Sequence, residues 1–327
     1  MGGSTLFFFI AGLLLLIVGA EVLVRGASRL ALAAGISPLV IGLTVVAFGT
    51  SSPELAVSLQ SSLAGQSDVA LGNVVGSNIA NVLLILGCSA LAAPLIVSRQ
   101  LARLDIPLMV AATLLFWWLA SNGRLSQVES FILFMGIVAY IILSIYKSRR
   151  ESQAAAATGP EALPALGRRQ MALNVLLVGV GFGLLVLGAD WLVDAAVTVA
   201  EYFGVSQLII GLTIVAVGTS LPELATSIVA SLRGERDIAV GNVVGSNLFN
   251  LLAVLGVAGL ATPGGLAVSA QALRLDIPVM TAVALLCLPI FLTQSKVSRW
   301  EGAFLLLCYA AYLGYLVLVA IQHPILP

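Results

Sequence analysis

Gly42-Leu-Thr-Val-Val-Ala-Phe-Gly-Thr-Ser-Ser-Pro-Glu54 returns later in the chain as Gly211-Leu-Thr-Ile-Val-Ala-Val-Gly-Thr-Ser-Leu-Pro-Glu223. Both copies belong to a longer internal repeat. Residues 39–91 align without a gap on residues 208–260 at a constant offset of 169, and 32 of the 53 positions are identical. After each glutamate comes a second shared motif, Gly72-Asn-Val-Val-Gly-Ser-Asn78 in the first copy and Gly241-Asn-Val-Val-Gly-Ser-Asn247 in the second. The flanks echo as well, as Arg103-Leu-Asp-Ile-Pro107 and Arg274-Leu-Asp-Ile-Pro278.

The repeat lies in a very apolar chain. Its 327 residues are 60% hydrophobic and 9% charged, with a mean hydropathy of +1.11. A soluble domain carries about 25% charged residues, so this chain cannot cover a water-facing surface and reads as an integral membrane protein. Apolar stretches long enough to span recur at about 5–24, 37–63, 69–94, 104–121, 127–146, 171–192, 205–231, 238–262, 275–294 and 300–320. The one polar linker, 147–170, holds an Ala run, Gly159-Pro160, Pro164 and five basic residues. It divides the chain into an N-terminal unit, 1–146, and a C-terminal unit, 171–327, of five spans each. Five is odd, so the second unit enters the membrane from the opposite side. The expected fold is an all-α polytopic membrane protein of ten transmembrane helices, arranged as two inverted-topology five-helix repeats about a pseudo-two-fold axis in the membrane plane.

Positive charge sets the direction. With the linker cytoplasmic, 13 of the 15 Lys and Arg residues fall on the cytoplasmic side, and only Arg124 and Arg274 fall outside. Both termini then face away from the cytoplasm. The N-terminus lacks a basic n-region, and its apolar run from Leu6 to Val24 reads as a first span rather than a cleavable signal. Zero net charge gives no basic face for nucleic acid. Cys88, Cys287 and Cys308 are scattered in apolar runs and His323 is the only histidine, which leaves no disulfide framework and no His-based metal or catalytic cluster.

Glu54 lies well inside an apolar span, where an ionisable group costs several kcal/mol unless it is paired, hydrated or neutralised. Glu223 repeats it at the symmetry-related position, and no Lys or Arg lies within either span. Two carboxylates with no protein cation call for a bound cation or shared protons, and two negative charges match one divalent ion. Pro53 and Pro222 lack an N–H, so the carbonyls of Gly49 and Gly218 lose their helical partners. Freed carbonyls are tolerated at mid-membrane where they line a cavity or coordinate an ion. Thr50, Ser51, Thr219 and Ser220 add hydroxyls, and Ser77, Asn81, Ser246 and Asn250 add neutral oxygens from the following spans. Ser77 and Asn81, like Ser246 and Asn250, are four residues apart and share a helix face. The set is all oxygen, which suits hard cations such as Ca²⁺ and Na⁺ and not zinc or copper.

Each feature has a plainer structural reading. Gly72…Gly76 and Gly241…Gly245 read first as close helix packing, and a membrane hydroxyl usually bonds back to its own helix. Asp68 and Asp237 read as caps, Asp105 and Asp276 as helix starts, and Glu21 and Asp190 as interfacial residues at span ends, with the lining of an entrance as their alternative role. The structural reading does not extend to a glutamate pair at matched positions, each following Gly-Thr-Ser-x-Pro.

At these residues the sequence resembles the cation/calcium exchanger superfamily, specifically prokaryotic sodium/calcium exchangers with two α-repeats. The resemblance covers both repeats and the ten-span layout. It implies a core of spans 2, 3, 7 and 8, and a multi-pass protein of the plasma (inner) membrane with the lipid bilayer, Ca²⁺ and Na⁺ as partners. No organic cofactor, enzymatic activity or obligate protein partner is implied. Ca²⁺ would be held by Glu54 and Glu223 with the main-chain carbonyls of Thr50 and Thr219. Na⁺ sites would use Ala47, Ser51, Ser77 and Asn81, and Ala216, Ser220, Ser246 and Asn250. Some relatives carry Asp in place of Asn250, and an acid there goes with potassium dependence; both repeats here carry Asn.

The reading is Na⁺/Ca²⁺ antiport by alternating access. The nearest alternative is a Ca²⁺/H⁺ antiporter using the same glutamates as proton carriers. A cation channel also uses carboxylates but needs no inverted repeat. An intramembrane hydrolase built on Ser51 or Ser220 would need a base that the spans lack.

Overall fold

The computed structural model describes residues 3–158, 168–203, 216–294 and 296–322. The membrane-spanning helices, in chain order, are α1 (Ser4–Ala34), α2 (Pro38–Thr50) and α3 (Ser52–Leu63), α4 (Ser67–Ala92), α5 (Leu101–Ala120), α6 (Gln127–Arg150), α7 (Arg169–Tyr202), the shorter apolar α8 (Leu221–Leu232), α9 (Arg236–Ala261), α10 (Ala272–Phe291) and α11 (Arg299–Leu318). Eight are long and apolar enough to cross a membrane, and α2 with α3 forms one further span bent by 46°. Nine of the expected spans thus have a described counterpart. The other, 205–231, is represented by α8 and the turn Ala216–Gly218, because residues 204–215 lie outside the described residues. His323 lies outside them too.

The bend in α2–α3 falls where the sequence places it. Ser51 (φ −84°, ψ 8°) leaves helical geometry, and Pro53 stands in the first turn of α3, where its missing N–H is harmless. Ser220 (φ −92°, ψ 7°) and Pro222 repeat this at the start of α8. Further π-turns widen the helices at Asn81–Leu86 in α4 and Asn250–Val254 in α9. Such turns are rare and collect at functional sites.

Several boundaries differ from expectation. α1 and α7 run past residues 24 and 192 to Ala34 and Tyr202. In α1 the buried stripe Ala20, Leu23, Val24, Ala27 and Ala31 continues the three-and-four spacing of a helix face beyond the apolar run. The helix that begins at Gln127 continues to Thr158, and the next begins at Arg168. The expected linker 147–170 is therefore helical at both ends, as the run Ala154–Ala157 and the long charged side chains favour. Its remainder, 159–167, lies outside the described residues.

The acidic residues assigned structural roles also move. Asp105 and Asp276 do not start helices; each closes a π-turn inside its span. Asp105 is buried and accepts a 3.0 Å hydrogen bond from Tyr140 Oη. Asp68 and Asp237 stand inside the first helical turn without a capping bond; their charge there favours the helix N-terminus. Glu21 is mid-helix, not at a span end. It takes a fork from Arg233 at 2.6 and 2.7 Å and pairs with Arg25 one turn on.

Packing sets the layers. The apolar stretches of α4 and α9 are 78% and 89% buried, against 17% for α11, so these two helices form the centre. α9 packs on α2, α4 and α8. Gly241 and Gly245 make this possible: a Cβ on Gly245 would stand 2.7 Å from the Leu43 carbonyl oxygen, and one on Gly241 2.9 Å from that of Leu39. Residues 208 and 212, which repeat symmetry would set against Gly72 and Gly76, lie outside the described residues.

α1 and α7 form an antiparallel pair on the outside. Gly12, Gly19 and Gly26, seven residues apart, meet Gly188, Gly181 and the Asn174–Val178 segment at backbone contact. Two short antiparallel ribbons join loops of the two halves. Leu95–Ile96 pairs with Lys296–Val297, and Arg124–Leu125 pairs with Leu266–Ala267. After the ribbons, α6 and α11 begin with the same capping box: Ser126 with Glu129, and Ser298 with Glu301.

Candidate functional site

Glu54 and Glu223 open the second arms, α3 and α8, immediately after the two breaks. They are 0% and 1% exposed, so a charge on either needs compensation from within the protein. Their hydrogen bonds cross between the halves. Ser51 Oγ donates to Glu223 Oε1 at 2.9 Å, and Ser220 Oγ donates to Glu54 Oε1 at 3.2 Å. Ser77 Oγ, on α4, also reaches Glu54 Oε1, at 3.5 Å. Three of the expected residues, one serine from each break and Ser77, are thus linked to the two carboxylates.

A second tier holds the arms in place. Asn73 Nδ2 donates to the Glu54 carbonyl at 3.1 Å and to Ser58 Oγ at 2.9 Å. Asn242 Nδ2 does the same for the Glu223 carbonyl at 3.4 Å and Ser227 Oγ at 3.0 Å. Thr50 Oγ1 donates to Asn242 Oδ1 at 3.1 Å, which ties the first break to the second half. Ala47 is buried against Gly245, next to Ser246. The side chain of Ala216 is outside the described residues.

Four carboxamides form the adjacent layer, where α4 crosses α9. Asn81 Nδ2 donates to Asn247 Oδ1 at 3.1 Å, and Asn250 Nδ2 donates to Asn78 Oδ1 at 3.2 Å. The pairing again exchanges between repeats.

Among the described residues, ten buried side-chain polar atoms lack a hydrogen-bond partner; six are Glu54 Oε2, Glu223 Oε2, Asn81 Oδ1, Asn250 Oδ1, Ser246 Oγ and Thr219 Oγ1, and the others are Ser89 Oγ, Thr226 Oγ1, Arg236 Nε and the ion-paired Glu21 Oε1. These six belong to the expected ligand set, and each presents lone pairs. Buried polar atoms are usually satisfied, and oxygens with free lone pairs are what a cation needs. The described ion pairs run to Glu21, and no described Lys or Arg pairs with either glutamate. Nor do the described residues hold any group of three or more His, Cys, Asp and Glu side chains fit for a metal. The donors are two carboxylates and neutral oxygens, which suits hard cations.

A cavity of about 590 Å³ lies beside the two breaks, lined by Ser52, Pro53, Ala56, Asp190, Asp194 and Thr219. Asp190 thus lines this cavity from within α7 instead of ending a span. Its repeat partner Glu21 is closed off by Arg233.

Asn73, Asn78, Asn242 and Asn247 stand outside the expected ligand set, although all four belong to the motif repeated at offset 169. Their signal was available: an amide kept in both copies of an apolar span needs a buried partner.

Fold and site together define a multi-pass membrane protein built around a buried, oxygen-lined acidic centre. Residues 4–146 and 173–318 match the family described as sodium/calcium exchanger protein. The sodium/calcium exchanger MaX1 of Methanosarcina acetivorans is 33% identical over 336 aligned residues, covering 92% of this chain and 95% of that one. The inner membrane protein YrbG of Escherichia coli is 40% identical, covering 85% and 87%. Among solved structures, the sodium-calcium exchanger NCX_Mj soaked with zero Na⁺ and Ca²⁺ superposes with a TM-score of 0.82 at 29% identity, over 97% of this chain and 100% of that one. The chain belongs to the sodium/calcium exchanger protein family. It is a membrane antiporter of the cation/calcium exchanger superfamily, and its exchange involves Ca²⁺.

Proposed function

We propose that the chain exchanges Na⁺ for Ca²⁺ by alternating access at one central site shared by Glu54 and Glu223. The observation that carries this reading is the crossed pair of bonds, Ser51 to Glu223 and Ser220 to Glu54, with both Oε2 atoms left free. Each half supplies one carboxylate and orients that of the other, so the two acids act as one ligand set. The neutral oxygens of Thr50, Thr219, Ser77, Ser246, Asn81 and Asn250, with the backbone at Ala47 and Ala216, complete it.

Coupling follows from competition. Two carboxylates balance one Ca²⁺ or a load of Na⁺, but not both in full. The empty site keeps two like charges in a low-dielectric interior, which discourages an unloaded transition.

The same reading takes the halves, 1–146 and 171–327, as inverted five-helix repeats joined by the 147–170 connection. The exchanged ribbons and exchanged asparagine pairs support it, since each bond in one direction has a mirror bond in the other. The basic linker is cytoplasmic, both termini lie opposite, and the membrane is the plasma (inner) membrane. Each ribbon joins two loops that this orientation puts on the same side, the first ribbon cytoplasmic and the second opposite. The cavity beside Asp190 is then the approach from the non-cytoplasmic side.

The test is Ca²⁺ uptake by purified full-length protein in proteoliposomes. An outward Na⁺ gradient is expected to drive uptake, and a pH gradient without Na⁺ is not. Uptake driven by the pH gradient alone would replace Na⁺ coupling with proton coupling at the same glutamates.

A further inference from the structure

We propose that Asn78 and Asn247 are positioning residues that decide which end of the Asn81 and Asn250 carboxamides is offered to the cation. This rests on the reading of Asn81 and Asn250 as cation ligands.

A carboxamide has two faces, an acceptor oxygen and a donor NH₂. Only the oxygen is useful to a cation, and an amide free to rotate about its last bond shows either end. All four asparagines are at most 3% exposed, so solvent does not settle the choice. The neighbours do. Asn78 Nδ2 is directed to the Asn247 carbonyl at 3.5 Å and to Met280 Sδ at 3.7 Å, which leaves Asn78 Oδ1 to accept from Asn250. Asn247 Nδ2 is directed to Met109 Sδ at 3.4 Å, which leaves Asn247 Oδ1 to accept from Asn81. Turning Asn81 or Asn250 around would set two amide oxygens against each other in a dry interior. The NH₂ ends are therefore held across the α4–α9 crossing, and the oxygens are the ends left without a partner.

The device runs as two chains of mirrored composition. Met109 holds Asn247, which holds Asn81; Met280 holds Asn78, which holds Asn250. Each chain starts in one half, passes through the other and returns. The orientation of a ligand in one repeat is thus set by the other repeat. The π-turns that begin at Asn81 and Asn250 place both carboxamides where the helix is widened.

The experiment is a double-mutant cycle on full-length protein in phosphatidylethanolamine–phosphatidylglycerol vesicles. Its readout is Ca²⁺–Ca²⁺ self-exchange, which needs no coupling ion. Asn78→Ala and Asn250→Ala are each expected to raise the KM for Ca²⁺ by about tenfold, with the maximal rate kept within about twofold. The double variant is expected to be no worse than Asn250→Ala, because Asn78 acts through Asn250. Multiplying effects in the double variant, or a lowered maximal rate in Asn78→Ala with KM unmoved, would overturn the proposal and leave Asn78 as a packing residue. An unchanged KM in Asn250→Ala would instead remove Asn250 from the ligand set and overturn the reading beneath it. If Asn78→Ala is not recovered folded, the mirror cycle of Asn247→Ala and Asn81→Ala poses the same question with the same criteria.

Discussion

Glu54→Gln and Glu223→Gln are each expected to abolish Ca²⁺ transport in a protein that still folds. Glutamine keeps the shape and one acceptor oxygen, so Ser220 or Ser51 retains its partner. It removes half of the negative charge and replaces a free Oε2 with an NH₂ donor aimed at the cation. Taking away one member of a buried charge pairing costs about 3–5 kcal/mol, a loss of roughly a hundredfold to several thousandfold in affinity. Because the acids are linked crosswise, loss of one is as damaging as loss of the other. Folding is checked by size-exclusion profile and by melting without Ca²⁺. There the variants should melt no lower than the parent, since two like charges no longer share one dry site. Flux retained in either variant would contradict a shared site.

The second large effect concerns the outer pair. Gly188→Val is expected to destabilise the protein severely, and Gly179→Val on the same helix is not. A Cβ on Gly188 would stand 2.8 Å from the Gly12 carbonyl oxygen and 2.8 Å from the Leu16 amide nitrogen, both backbone atoms that cannot rotate away. The helices must separate, and every neighbouring contact along the seven-residue glycine series is weakened with them. Overpacking of a rigid interface costs about 1–3 kcal/mol or more. The expected reading is a fall of about 5–10 °C in melting temperature or loss of the monodisperse peak. Gly179 is exposed and has no described atom within 4 Å of such a Cβ, so its variant should melt with the parent. Equal melting of the two variants would show that α1 and α7 do not depend on backbone contact.

How far the molecule was legible in its sequence follows the range of the forces involved. The breaks before Glu54 and Glu223 were readable because proline acts on its own helix. The span at Pro38–Leu63 bends beside Pro53 for that local reason. The oxygen set was readable because a charge in an apolar span has few solutions, and repetition at offset 169 removed the coincidence. The crossing of the bonds was not readable. Ser51 and Glu54 are near neighbours in sequence, yet Ser51 serves Glu223, and only packing of the two halves decides that. Asp105 was misplaced for the same reason, since Tyr140 arrives from another span. The lengths of α1 and α7 were underestimated because alanines, weak in hydropathy, carry the buried stripe beyond the apolar run. Asn78 and Asn247 were visible as letters, but their task appears only when α4 meets α9.

The central claim is that two repeats make one cation site, not two. Isothermal titration of Ca²⁺ into the purified full-length protein, with Na⁺ absent, tests it most directly. The shared site predicts one Ca²⁺ per chain, lost entirely in Glu54→Gln and equally in Glu223→Gln. Two Ca²⁺ per chain, with each variant losing only one, would contradict it.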